Sequence, residues 1–372
     1  MDLQLTEEQK LVRDSAARFV ADMSKKGGVG AAFDRGLWAD MAELGWIAAG
    51  IPEELGGLGG AIETSLIAEQ IGRGSVGSWF LGTAVLGPQL LVAAGDTLER
   101  NELLPEVIAG TTKVAAAFSE TSARGNLASV RTRAIRGDQG YLLSGSKTLV
   151  LGGDIADMLI VSARVNGEDT SPDGIELFLV DPAAEGVRLV PTPLVDGANA
   201  VTIKLDVAKA RALGSTDAFA ALTAMSEHGI ACMAAESVGM IEAVGDITAE
   251  YLRNRRQFGV PLGEFQVMQH KLANMAIDAE MTRAALLVVL AAFQLNDPIL
   301  RRQRFSGAKA FIGESLRRVT GSGVQAHGGM GMTQEYPIGR YLQKMISMDA
   351  ILGNPSDHRL ICSSLLSRSA LA

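Results

Sequence analysis

Apolar positions along the chain change their period twice. Near the start, Leu3, Leu11, Val12, Ala16 and Phe19 recur at helical spacing around Thr6-Glu7-Glu8-Gln9, which reads as a capping box. Leu37–Leu44, Ile62–Gly72 and Asn101–Ala109 continue the helical period. The loop Pro52-Glu53-Glu54-Leu55-Gly56-Gly57-Leu58-Gly59-Gly60 separates the first of these three from the second. From about residue 113 the pattern breaks into short apolar runs split by Gly, Asp and Pro. Val114–Phe118, Tyr141–Leu143, Met158–Arg164, Ile175–Val180, Val187–Val190 and Val201–Val207 each predict a strand. Short strands with no helix between them predict an antiparallel barrel or sandwich, not a βαβ sheet.

From about residue 215 the helical period returns. No proline occurs between Pro193 and Pro261, so Thr216–Arg256 can carry one very long helix. Turn residues around 259–263 lead into Phe265–Leu295, a third helix covers Leu300–Val319, and a last one starts near Tyr336. Long helices joined by short turns make a bundle. The expected fold is α+β and mainly α. It has an N-terminal helical domain (1–112), a central antiparallel β-barrel (113–214) and a C-terminal helical bundle (215–372).

Composition narrows the classes. Hydrophobic residues make up 47% and charged residues 20% of 372, which excludes a disordered chain. A net charge of −8 argues against a nucleic-acid partner. Cys232 and Cys362 cannot build a disulfide framework or a four-cysteine metal site, and read as small buried residues in a reducing cytosol. The apolar run from Arg283 to Gln294 falls short of the ~20 residues a bilayer span needs. The opening residues show no basic or long apolar leader pattern. A cytoplasmic protein without membrane or nucleic-acid partners is expected.

Most familiar motifs fail. Gly140 to Thr148 misspaces a phosphate loop between Gly145 and Lys147, and Gly57-Leu58-Gly59-Gly60 does not complete a dinucleotide fingerprint. His228, His270, His327 and His358 lack metal-ligand spacing, and no nucleophile elbow is present. Two clusters remain. Arg253-Asn254-Arg255-Arg256-Gln257-Phe258-Gly259 closes the long helix, where cations suit the macrodipole and Gly259 can serve as terminator. Gln325-Ala326-His327-Gly328-Gly329-Met330-Gly331 ends a helix in close glycines, which let backbone approach a ligand. A guanidinium, an amide and exposed N–H groups together could hold a diphosphate.

These stretches resemble the acyl-CoA dehydrogenase family. Pro52 to Gly59 is similar to its N-terminal loop, Arg255 to Gly259 with Phe265-Gln266 to its R-x-x-F-G…Q stretch, and Gln325 to Gly331 to its Q-x-x-G-G-x-G turn. The resemblance spans essentially the whole chain. It implies three domains, assembly as a tetramer, and FAD bound between subunits. It also implies an acyl-CoA substrate and an electron acceptor of the electron-transfer flavoprotein type. In that family a glutamate removes the α-proton while a hydride leaves the β-carbon for flavin. The matching base position here is Leu352, and the alternative base position at the start of the long helix falls on Gly229. Neither can accept a proton. The family's flavin-side strand W-I-T matches Leu149-Val150-Leu151, while Ser119-Glu120 keeps part of the preceding strand.

What the resemblance implies is therefore lopsided. Arg255, Phe258, Gln266, Gln325, Gly328 and Gly329 are expected to reach a neighbouring subunit's FAD, with Ser119 the remnant of the chain's own flavin wall. The chain is expected to be a subunit of a heteromeric enzyme, completing the FAD site of a larger catalytic partner in an α2β2 assembly. Its opening Leu3–Gln9 and ending Met348–Asn354 resemble the small subunit of heteromeric pimeloyl-CoA dehydrogenase, and similar pairs act on steroid side-chain CoA thioesters. Two alternatives stay open. One is an autonomous homomer with a base relocated to Glu227 or Glu250, both read as surface helix residues. The other is a flavin-free structural or CoA-binding scaffold.

Overall fold

The computed structural model of the protein describes residues 5–25, 35–77, 79–138, 140–333 and 336–369. Leu3 lies outside them. In chain order the helices are α1 (Glu7–Lys25), α2 (Arg35–Glu43), α3 (Ala61–Arg73), α4 (Gly87–Ala93) and α5 (Leu98–Ile108). Strands β1 (Val114–Ala117), β2 (Arg133–Gly137), β3 (Gly140–Leu151), β4 (Met158–Arg164), β5 (Ile175–Val180), β6 (Val187–Pro193) and β7 (Asn199–Ala212) follow. Then come α6 (Ala218–Asn254), the two-residue strands β8 (Arg256–Gln257) and β9 (Val260–Pro261), α7 (Gln266–Ala292), α8 (Pro298–His327), α9 (Ile338–Asp349) and α10 (Pro355–Ser369). The capping box forms as expected. Gln9 N–H donates to Thr6 Oγ1 at 3.2 Å, and Thr6 N–H donates to Gln9 Oε1 at 3.1 Å.

The chain forms two compact units. One comprises 31–64 and 77–229 and is built around the seven-stranded sheet. Pairing runs β1-β4-β2-β3-β7-β5, with β6 on β7; β4 also pairs β5, so β4-β2-β3-β7-β5 closes on itself. The antiparallel expectation needs correction at two places. β1 and β2 each run parallel to β4: a long loop over 118–132 separates β1 from β2, and the antiparallel strand β3 reverses the chain between β2 and β4. Leu143, Leu159, Phe178, Ile203 and Ala208 fill the interior. A one-turn-plus π-helical segment, Leu81–Leu86, has no counterpart in the sequence reading. Every side chain in it is buried, and a Cβ on Gly82 would stand 2.5 Å from the Leu151 carbonyl oxygen.

The other unit comprises 1–30, 65–76 and 230–372. The end of α3 lies backbone-to-backbone against α6. A Cβ on Gly72 would stand 2.0 Å from Glu236 O, and one on Gly239 1.9 Å from Glu69 O. Arg73 pairs with Glu242 at 2.6 Å, and Lys344 of α9 pairs with Glu236 at 2.5 Å in the interior. Helices α7 and α8 run antiparallel, tied by Arg318 to Asp278 at 2.5 Å near the middle of α7 and by Phe293 against Phe305 at 5.1 Å near their connection. The last helix expected from the sequence is two helices, α9 and α10, broken at 350–354. One side of α7 leaves Val267, Ile277, Met281, Leu287 and Val288 exposed.

Candidate functional site

Helix α6 ends at Asn254, earlier than a Gly259 terminator requires. The corrected reading of Gly259 is a hairpin turn. Arg256 and Gln257 pair with Pro261 and Val260, and Phe258-Gly259 is the two-residue connection with φ of 55° and 87°. Positive φ at both positions is the hairpin turn that matches strand twist, and it suits Asn-Gly far better than Phe-Gly. Phe258 thus holds a left-handed conformation that costs on the order of 1–3 kcal/mol. Its ring is nevertheless 88% exposed, touching Phe265 edge-on at 6.1 Å. Beyond that one edge contact, the ring of this strained residue at the hairpin tip faces solvent.

Arg255 and Gln266 flank this hairpin. Arg255 is exposed; its N–H donates to Tyr251 O at 2.8 Å. Gln266 is the first residue of α7 and exposed, at the end of a helix that favours negative charge. The glycine cluster closes α8. Gly328 caps it with φ 59°, its N–H donating to Gln325 O, and Gln325, Gly328 and Gly329 are exposed. No atom lies within 4 Å of where a Cβ would stand on Gly328 or Gly329, whereas one on Gly331 would meet Val324 O at 2.7 Å. Gly331 is needed for packing; Gly328 and Gly329 leave the outer face of the turn open.

The two clusters are 70 residues apart in sequence and adjacent in space. Tyr251, one turn before Arg255, stacks on His327 with ring centroids 4.3 Å apart, and its hydroxyl donates to His327 O at 3.3 Å. Tyr336 closes the aromatic cluster at 4.9 Å from His327. Sequence reasoning missed Tyr251 and Tyr336 as parts of the site. A stack between residues 76 positions apart leaves no local pattern.

Ser119, Leu149 and Gly229 belong to the sheet-containing unit. Ser119 is half-buried, and its carbonyl accepts from Thr148 N–H at 2.8 Å. The neighbouring Glu120 is satisfied by Lys147 Nζ at 2.7 Å, Thr132 Oγ1 at 2.8 Å and the N–H groups of Thr132 and Arg131. Burial would raise its pKa, yet Lys147 and these bonds hold it below the usual carboxylate value. Leu149 sits at a bulge between Lys147 and Val150 with φ 54°, and Leu151 is buried.

Leu352 is 6% exposed, with φ 58°. Its carbonyl lies 2.9 Å from His358 Nε2, and His358, mainly through burial, is pushed down to about 4. Asn354 is the cap of α10, accepting from Ser356 and Asp357 N–H at 2.9 and 3.0 Å. Glu227 corrects its expectation as a surface residue: it is 8% exposed. Two positions from Gly229, it points about 200° around the helix from the alternative base position. Glu250 is exposed, as expected. Among the described residues no cluster could hold a metal ion, and no helix is long and apolar enough to cross a membrane.

Three family models match in succession: the acyl-CoA dehydrogenase N-terminal domain over residues 6–111, the middle domain over 115–206 and the C-terminal domain over 219–363. Among curated proteins, the chain is 30% identical to the 3-(aryl)acrylate reductase of Clostridium sporogenes, over 96% of this chain and 97% of that protein. It is 29% identical to the probable acyl-CoA dehydrogenase YngJ of Bacillus subtilis, over 98% and 100%. The solved structure of a variant of the Tcur3481-Tcur3483 steroid ACAD superposes with a TM-score of 0.86 at 29% identity, covering 98% of this chain and 99% of that one.

Proposed function

Because the chain belongs to the acyl-CoA dehydrogenase family, whose cofactor is FAD, we propose that it is the non-catalytic subunit of a heteromeric acyl-CoA dehydrogenase, completing its partner's FAD site. The observation that carries this reading is Leu352. At the position where the family holds its general base, this chain has a buried leucine whose carbonyl is engaged by His358. Abstraction of an α-proton needs a carboxylate over that carbon, and none is supplied there.

The outward-facing cluster fits the adenosine diphosphate half of FAD. The Arg255 guanidinium, the Gln325 amide and the N–H groups about Gly328 and Gly329 supply donors for a diphosphate. Phe258 offers a ring face, and the N-terminus of α7 at Gln266 adds a favourable dipole. When bound, FAD accepts the hydride from the acyl β-carbon; the residues of this chain bind and orient it. All six residues face solvent, which supports donation to another chain's cofactor. The apolar stripe on α7 supports burial of this unit against another subunit. The similar steroid ACAD is named as a pair, which supports two unlike chains. An electron-transfer flavoprotein is the acceptor the family implies, and the acyl group remains fatty, dicarboxylic or steroid.

Buried Glu227 favours a second reading, an autonomous homomer with a relocated base. Its direction on α6, opposite to Gly229, weighs against it. Purification alone and beside a co-expressed catalytic partner discriminates these. The isolated chain should turn over no acyl-CoA at an appreciable rate, because a general base contributes ~10²–10⁴-fold. A yellow homomer that oxidises acyl-CoA robustly refutes the subunit reading.

A further inference from the structure

The two loops of the nucleotide cradle meet on one side chain that neither the family pattern nor the proposed contacts use. His327 is 3% exposed. Its Nδ1 lies 2.8 Å from Gly323 O, one turn back on α8, and so carries the proton; its buried Nε2 has no hydrogen-bond partner. One face of the ring lies on Tyr251, and Gly331 folds so close that a Cβ there would stand 3.2 Å from His327 Cβ. The Tyr251 hydroxyl bonds the His327 carbonyl, and the Tyr251 carbonyl accepts from Arg255 N–H.

We propose that His327 is a positioning residue for the adenosine diphosphate half of flavin: anchored on Gly323 and stacked on Tyr251, it holds the Gly328–Gly329 turn and the Arg255 hairpin as one cradle. This rests on the reading above that the cradle serves a neighbouring subunit's FAD. The neutral imidazole performs the task. Its protonated form would carry a buried N–H with nothing to accept it, a cost of the same kind as any unpaired buried donor. The titratable groups packed about it are Tyr251 on α6 and Tyr336 after the turn, with Glu250 acting on Tyr336 from α6; none bonds Nε2. Burial accordingly pulls the imidazole below its ordinary value of 6.5, against the opposing pull of the Gly323 bond. Bound flavin locks the cradle about this ring and should lower its pKa further, so retention should be level at neutral pH and fall in acid between the pKa values of the free and the flavin-bound assembly, by at most about tenfold per pH unit.

The experiment uses the assembly purified through a tag on this chain, reading released FAD by fluorescence between about pH 7.5 and about pH 5, where only histidine side chains ordinarily titrate. Wild type should lose FAD as pH falls. H327F keeps a ring on Tyr251 but cannot titrate, so its retention should be independent of pH. H327N keeps a donor for Gly323 O and loses the stack, so retention should fall at every pH. An acid loss that persists unchanged in H327F overturns the inference while leaving the donated site intact. An assembly that carries no FAD at all overturns the parent reading instead. Should H327F fail to assemble, histidine-labelled NMR of the full wild-type chain, which has only four histidines, decides with ADP as the probe. ADP should lower the His327 pKa; an unmoved pKa overturns the proposal.

Discussion

At the scale of single residues, the proposed reading turns on whether Leu352 alone would account for an inactive chain. Leu352→Glu places a carboxylate at the family position, yet we expect no dehydrogenation by this chain alone. Catalysis needs reacting groups aligned within ~3–3.5 Å, and the strand matching the flavin-side wall carries Leu149 at a bulge and a buried Leu151. The substituted chain should also lose on the order of 1–3 kcal/mol of stability in chemical denaturation, since Leu352 sits in the interior. A flavin that acyl-CoA bleaches in the Leu352→Glu homomer would show the pocket to be intact. His358 behind this loop gives a pH test. Its native pKa of about 4 lies below the 6.5 of the unfolded chain. Above 6.5 neither state holds the extra proton; between 6.5 and 4 the unfolded state takes it and the native state does not. Stability is therefore lost as pH falls through this window, on the order of 3 kcal/mol in all. His358→Gln can still donate to the Leu352 carbonyl and cannot titrate, so its melting temperature should fall less steeply over the same range.

The hairpin of β8 and β9 separates turn from ring at the scale of an element. Phe258→Asn gives the Asn-Gly turn that both positive φ values favour. The isolated chain should be as stable or more stable, by up to about 1 kcal/mol. The assembly should hold FAD more weakly, because the exposed ring is gone. Unaltered flavin content would assign Phe258 no part in the site. This hairpin also shows where sequence was legible and where it was not. The run Arg255 to Gly259 marked the place, but its basic residues and glycine fit a helix end equally well, and only backbone pairing with Val260 and Pro261 decides. Strands β4 and β5 were readable to the residue because each is a mostly apolar run bounded by turn residues. β2 was not, since Arg133, Arg136 and Gly137 leave too little apolar pattern. The break between α9 and α10 shows only in the structure, where the Asn354 side chain caps α10. Likewise the π-helical Leu81–Leu86 is buried throughout and has no polar face whose period could be read.

For the whole molecule, the measurable quantity is stoichiometry. If the chain lends its outward cradle and supplies no base, as proposed, the assembly should hold about one FAD per pair of unlike subunits. Arg255→Ala and Gln325→Ala should each release that FAD, with a loss of about 1.5–3 kcal/mol, or roughly tenfold to a hundredfold in affinity. Unchanged flavin-to-protein ratios in both would remove the donated site. The left-handed turn at Phe258 then has a consequence in heredity. On the proposed subunit reading, its strain is borne by one gene product while its use lies in another polypeptide. Selection on this codon would then act only in cells that also express such a partner. If the partner gene is lost, Phe258 should be among the first positions to drift, and toward asparagine or glycine, because the backbone already favours them.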